Sequence, residues 1–333
     1  MAVFVRTQEI EHEIGATGRF SLRVTSPDVE LRAIDGTVAR VRIEFEVRAA
    51  SEAKADELLE RVRFSVREDR GELEVTEPNR SDGGVGSIAR IFGIGTDRIE
   101  MSVTAEVPVG ATIEYHGVSA DLTSSGFSGV QQYRTVSGDL VLNDLAGEVG
   151  VRGVSSDVSL RAIAPIRIEM NTVSGDISAF APRFDELLCT TVSGDVEVEG
   201  SLAASDAHRV ETVSGDLSLG VDGNLALEVR GLSTDVDVNV PHRSEGSRDR
   251  RRYVIGDGTA RLLFRSMSGD ISVRAARRTA TKAPIVSRPP EPPVPPSAPL
   301  TADAQLEVLH ALERGEIDVD EAGRLLAGGS RNA

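Results

Sequence analysis

Between Ile113 and Val273 apolar and polar residues alternate in short runs, and the runs repeat in phase with one pentapeptide, Val-Ser-Gly-Asp-aliphatic. Its aspartates are Asp121, Asp139, Asp157, Asp176, Asp195, Asp216, Asp235 and Asp270, separated by 18, 18, 19, 19, 21, 19 and 35 residues. The copies align on a Val column: Val118, Val136, Val154, Val173, Val192, Val213, Leu232 and Met267. Three residues earlier stand Tyr115, Tyr133, Val151, Met170, Cys189, Val210, Val229 and Phe264. Just after the aspartate come Leu122, Leu140, Val158, Ile177, Val196, Leu217, Val236 and Ile271. A period of two marks short strands with one buried face. The expectation is two or three strands per unit, with the Val column, the residue three before it and the residue after the aspartate all facing inward.

The pentapeptide supplies the corner between strands. Its glycine can take φ > 0, and its carboxylate can accept a backbone N–H in an Asx-type turn. Where the glycine is replaced, by Ala120, Ser156 or Thr234, a glycine precedes the Val column instead (Gly117, Gly153, Gly231), so two corner variants exist. A unit of about 19 residues cannot bury its apolar face alone, so units stack. The predicted fold is all-β: a β-solenoid of ~19-residue rungs with a VSGD corner, eight rungs making a rod of about 38 Å.

A degenerate copy of the template occurs early, at Phe20, Leu22, Thr25, Ser26, Pro27, Asp28, Val29 and Leu31, which assigns residues 1–111 to an N-terminal β-rich part of the same solenoid. Within it, Ser51 has the chemistry of a helix cap ahead of Glu52, Ala55 and Leu58. Strands are expected at Ala39–Val47, Val62–Val66, Glu72–Val75 and Ile99–Val107, with a Gly-rich loop over Pro78–Asp97. The solenoid repeats span 112–277. The 35-residue interval implies an insertion, His242–Tyr253, rich in arginine. Eight prolines between Pro284 and Pro299 make 278–300 an extended linker. Residues 301–327 read as a helical hairpin, with Leu306, Leu309 and Leu312 on one helix and Ala322, Leu325 and Leu326 on the next.

Charge and composition narrow the chemistry. Asp and Glu total 53 against 37 Lys and Arg, a formal charge of −16, which disfavours nucleic acid as a partner. There is no tryptophan, so an aromatic sugar cleft is not expected. The single cysteine, Cys189, excludes an internal disulfide and falls in an apolar column, where it reads as a small core residue. No secretory signal or membrane-spanning stretch is readable, giving a cytoplasmic expectation with envelope association as the other possibility. The histidines are scattered, and His208, in an apolar column, is expected as a rim residue. No cofactor and no catalytic residue is predicted.

Two charged features stand out. The aspartate column reads as a structural turn device, the alternative being calcium held between Asp139, Asp176, Asp195 and Asp216. Arg134, Arg152, Arg230 and Arg265, two residues before the Val column, are expected to offset its charge. Arg248, Arg250, Arg251 and Arg252 in the insertion form a candidate anion-contact loop, with peripheral membrane contact one form that contact could take.

The repeated TVSGD with its flanking aliphatics, over most of residues 10–276, resembles the bacterial putative-adhesin family of β-strand repeat proteins, a domain of unknown function. The terminal LEVLHALERGEIDVDEAGRLL is similar to the short helical hairpin that such proteins often carry. The resemblance implies a right-handed β-solenoid-like fold and a non-catalytic binding or scaffold role, toward a protein or an envelope polymer. It also implies oligomerisation or partner contact through 301–327. Two other readings stand beside it: a cytoplasmic regulatory protein of the envelope stress response, and a β-helix polysaccharide-acting enzyme, which would need carboxylates and arginines gathered in a cleft.

Overall fold

The computed structural model describes residues 2–78, 98–204, 208–247 and 250–276. The chain divides into two compact units, 1–277 and 278–333. The expected Gly-rich loop (79–97), the linker and the hairpin lie outside the described residues.

The repeats fold as two parallel sheets joined at corners. Each rung contributes one strand to each sheet. The first strands of the array are β8 (Thr112–His116), β9 (Leu122–Ser125) and β10 (Val130–Arg134). The next three, β11 (Leu140–Arg152), β12 (Val158–Asn171) and β13 (Ile177–Ser193), are long enough to run from one sheet into the other. They are followed by β14 (Val196–Leu202), β15 (His208–Ser214), β16 (Leu217–Val221), β17 (Leu225–Ser233) and β18 (Val236–Val238). Rung-to-rung pairing is parallel and in register, as in Leu140↔Val158 and Val149↔Ile168. Between the sheets lies an aliphatic and aromatic interior that includes Tyr115, Tyr133, Leu140, Met170, Cys189 and Phe264, each at most 1% exposed. The Tyr133 hydroxyl pairs with Ser124 Oγ at 2.8 Å and reaches Gln131 Oε1 at 3.2 Å, so this polar knot in the interior is hydrogen-bonded.

The early degenerate copy belongs to the stack. Its strands, β2 (Arg19–Arg23) and β3 (Asp28–Ile34), pair in parallel with β8 and β9. A further rung, from β6 (Glu72–Thr76) and β7 (Arg98–Pro108), lies beyond them. The end of the stack is then covered by antiparallel strands. β4 (Val38–Ala49) pairs with β7, β1 (Ala2–Glu13) pairs with β4, and β5 (Ser65–Asp69) pairs with β6. Helix α1 (Glu52–Glu60) starts where Ser51 Oγ accepts the Lys54 N–H, buries Ala55 and Leu58 against β4, and is tied to β1 by Arg6 bonding Glu52 and Asp56. The expected strand at Val62–Val66 begins later, at Ser65, because Val62 and Phe64 turn into the core.

At the other end, chain order and spatial order part. The last repeat forms β21 (Ala260–Ser268) and β22 (Ile271–Ala275), and these insert between the two preceding repeats. β21 pairs with β15 on one side and β17 on the other, and β22 with β16 and β18. The arginine-rich insertion is strand over its described residues. It forms a hairpin, β19 (His242–Ser247) and β20 (Arg250–Ile255), which lays β20 antiparallel on β17 and carries the chain back to the open slot.

Candidate functional site

Parity along the strand decides which way the repeated corner faces. In the sheet that leads into the corner, Gln131, Tyr133 and Thr135 point inward, so Val136 points out. The expectation of an inward Val column is overturned along its described length: Val118, Val136, Val154, Val173, Val192, Val213 and Met267 are 42–56% exposed. The inward seat belongs to the residue before it, filled by Thr135, Thr172, Thr191, Thr212 and Ser266. The signal was available in the sequence, since counting by twos from the column three before Val lands on this position and not on Val itself.

That seat explains the two corner variants. A Cβ added at Gly153 would strike Ser156 Oγ, and one at Gly231 would strike Thr234 Oγ1. At these two corners one small space is filled from one side or from the other, never both, while at the first corner a Cβ on Gly117 would meet the Tyr115 hydroxyl instead. Where threonine fills it from before the Val, the residue two after Val is glycine, as at Gly138, Gly175 and Gly194, which have φ of 124°, 126° and 148°.

Beyond the Val column two more ladders run along the same edge. The serines bridge rung to rung, Ser119 to Ser137, Ser155, Ser174 and Ser193 in turn, continuing through Ser214, Ser268 and Ser233. The aspartates follow, and each donates its backbone N–H to the Oδ1 of the aspartate one rung back. The bonds are Asp139 to Asp121 (2.9 Å), Asp157 to Asp139 (3.4 Å), Asp176 to Asp157 (2.9 Å) and Asp195 to Asp176 (2.8 Å). They continue as Asp216 to Asp195 (2.9 Å), Asp270 to Asp216 (2.8 Å) and Asp235 to Asp270 (2.9 Å). The carboxylate therefore serves the neighbouring rung, not its own turn. Among the described residues no three His, Cys, Asp or Glu side chains converge as a metal site.

On the other flank of the valines lies the column two residues earlier. Strand register sets Arg23, His116, Arg134, Arg152, Asn171, Thr190, Glu211, Arg265 and Arg230 side by side in that spatial order. These arginines do not neutralise the aspartate ladder as expected. Arg265 pairs with Glu211 at 3.3 Å, Arg230 with Glu228 at 2.6 Å and Arg23 with Glu74 at 3.4 Å. Arg134 and Arg152 meet no carboxylate among the described residues. Burial, with the adjacent Arg134 and Arg23 adding to it, holds the His116 imidazole below its ordinary pKa. Two shallow depressions, one over Arg23, His116, Arg134, Val118 and Val136 with Glu77 beside them and one over Thr190, Val192, Glu211, Val213, Arg265 and Met267, are lined mainly by these same columns. Both open on the strip between the Val column and the column two residues earlier, a shallow groove whose middle stretch, at Arg152, Val154, Asn171 and Val173, lines neither depression.

The remaining candidates are dispersed. Cys189 is buried, which pushes its thiol up to about 12, far from a reactive thiolate. His208 is no rim residue: it is 1% exposed, with Nε2 2.9 Å from the Ala203 carbonyl. Of the arginines in the insertion, Arg251 donates to the Thr234 carbonyl at 2.6 Å and Arg252 stands in register between Glu228 and Glu245. Arg250 lies on β20 as well, and Arg248 is outside the described residues. Arg251 thus serves the last corner and Arg252 the hairpin.

Stacked two-sheet rungs with a repeating tight corner and an open edge define a β-solenoid. Residues 19–274 match the model of the Toastrack DUF4097 family, so the chain belongs to that family, a domain of unknown function. A search of curated proteins finds no match. Among solved structures, the chain is similar to a "putative adhesin" from Bacteroides fragilis, with 12% identity, 81% of this chain and 97% of that one covered, and a TM-score of 0.36. It is also similar to a "putative cell adhesion protein" from Clostridium sporogenes (11%, 80% and 99%, TM-score 0.24). A third is a "putative lipid binding protein" from Parabacteroides distasonis (12%, 81% and 95%, TM-score 0.30).

Proposed function

We propose that this chain is a non-catalytic binding protein that presents its solenoid edge to a protein or an envelope polymer, while residues 301–327 serve self-association or partner contact. The observation that carries this reading is the exposed ladder from Val118 to Met267. Single exposed apolar residues are ordinary, but one on each of seven neighbouring rungs, six valines and Met267, makes an apolar stripe, and aligned exposure of this kind marks interaction surfaces. The aspartates stand on one flank of the stripe and the arginines on the other, where Arg265, Arg230 and Arg23 are tied to glutamates as ion pairs, an arrangement suited to recognition and not to paired acid–base chemistry. The aspartate ladder is read as part of the scaffold, because seven of its eight carboxylates, all but that of Asp235 at the end, accept a backbone N–H from the next rung.

The test is a quantitative pull-down from an envelope extract with the full chain and with its Val136→Ser, Val154→Ser and Val173→Ser triple variant. Loss of the same bound species in the variant is expected, and an unchanged profile overturns the reading. Light scattering of the full chain against a chain ending at Ala283 tests the role of 301–327. A fall in mass supports self-association, and an unchanged mass with every bound species retained removes both roles.

A further inference from the structure

The groove is not uniform along its length. Over four consecutive rungs its polar wall is Arg23, His116, Arg134 and Arg152, in direct register. Its apolar wall over the last three of those rungs is Val118, Val136 and Val154. Arg134 and Arg152 lack carboxylate partners among the described residues, and the column beyond them holds the neutral Gln132 and Gly150. Arg23 is already engaged by Glu74, so the open positive charge is the adjacent pair Arg134 and Arg152, set on a chain of net charge −16 with the apolar strip running parallel to it.

Repetition on both walls selects the ligand. A single-headed amphiphile engages one guanidinium and leaves the others idle. An acidic polysaccharide matches the charges but has no apolar row for the valines. An extended peptide repeats on one face every 6.6–6.8 Å or so, out of step with rungs about 4.8 Å apart. An α-helix lying along the rod presents residues i, i+3, i+4 and i+7 at steps of about 4.5–6 Å, which keeps one apolar row over the valines and one flanking row over the arginines.

Resting on the reading of this edge as a binding surface, we propose that the groove from Arg23 to Val154 docks an amphipathic helix of a partner protein. About 13 residues of that helix lie over four rungs, apolar residues on Val118, Val136 and Val154 and a row of Asp or Glu on Arg134 and Arg152. This is the helix-in-groove mode of recognition, with specificity set by the charge row.

The probe is a side-chain-stapled 21-residue helix of three heptads, leucine on one face and glutamate along one flank, titrated against the full chain by fluorescence anisotropy. The expected result is saturable binding that weakens at least tenfold for the lysine-flanked version. Arg134→Glu with Arg152→Glu, and separately Val136→Ser with Val154→Ser, should each weaken binding by about tenfold or more. Arg183→Glu, at the second corner, should leave it unchanged. Equal binding of the glutamate and lysine helices, indifference to the groove substitutions, or displacement by polygalacturonate at equal mass overturns the proposal. If the helix fails to bind while the serine triple variant still loses its pull-down partner, the edge remains a binding surface and the helical partner is wrong.

Discussion

The two corners of each rung face opposite ways and are built by different rules. The VSGD corner repeats without a slip. Its serines bridge the neighbouring rungs from Ser119 to Ser233, its aspartates hydrogen-bond in an unbroken series, and at Gly153 and Gly231 its inner space is filled by one small side chain from the other side. The second corner is irregular. Register shifts occur between Leu142 and Leu145, between Arg161 and Ile166, and between Phe180 and Arg183, and Asp144 there takes a positive φ of 55°. Intervals that drift from 18 to 21 residues are thus absorbed at one corner while the other stays in step. A stack tolerates variation at one hinge of each rung as long as the opposite hinge keeps the rungs aligned.

This contrast can be broken most directly at neighbouring residues. Thr191→Asp puts a carboxylate into the interior and should cost about 3 kcal/mol or more in urea unfolding. Val192→Asp, one residue on and 45% exposed, should cost less than about 1 kcal/mol. Comparable losses would show that the parity assigned to the corner is wrong. Next in size, one glycine inserted between Ser174 and Gly175 should cost about 3 kcal/mol, since it slips the serine and aspartate ladders together. The same insertion between Pro182 and Arg183 should cost under about 1 kcal/mol. Equal effects on unfolding midpoints would abolish the distinction between the corners.

The shared space inside the ordered corner calls for a double-mutant cycle. Gly153→Thr should destabilise by about 2 kcal/mol through overpacking, and adding Ser156→Gly should recover most of that loss. Strict additivity would mean the two positions do not share one space. A smaller effect is expected at the carboxylates. Asp195→Asn keeps an acceptor for the Asp216 N–H and should be near neutral, whereas Asp195→Ala should cost about 1 kcal/mol.

The smallest effect expected is at His116. Its folded-state pKa is lowered by burial and by Arg134 and Arg23, so folding prefers the neutral ring. That stability is fully present above the unfolded value of about 6.5 and is lost as pH falls through the depressed folded value. His116→Gln should flatten the decline in melting temperature between about pH 7 and pH 5. A parallel curve would show that His116 carries none of it.

Much of this architecture was legible from residue spacing. The period, the aliphatic columns, the Ser51 cap and the early copy at Phe20–Leu31 all follow from local chemistry that the fold obeys. The facing of the Val column was misread because hydrophobicity alone marked valine as buried. A β-branched threonine fills a tight corner while its hydroxyl bonds a nearby carbonyl, as Thr135 does with Ser137 and Thr172 with Ser174. The exchange of the last two rungs left no trace in the repeat, because neighbouring parallel rungs offer the same register to any copy of the template. The groove was hidden for a related reason: its arginines looked like partners of the aspartates until the fold placed the valines between them.

The exchanged rungs also set how the solenoid bears load. The described chain leaves the stack at Ala276, directly after β22. Because β21 and β22 are held on both flanks, a pull on the outgoing chain must shear two ladders in each sheet at once. Had the repeats stacked in chain order, the final rung would be gripped along one side only and would peel away one bond at a time. Anything tethered beyond Ala276 is thus anchored to an inner rung of the rod, and the mechanically weak terminal rung carries none of the tension.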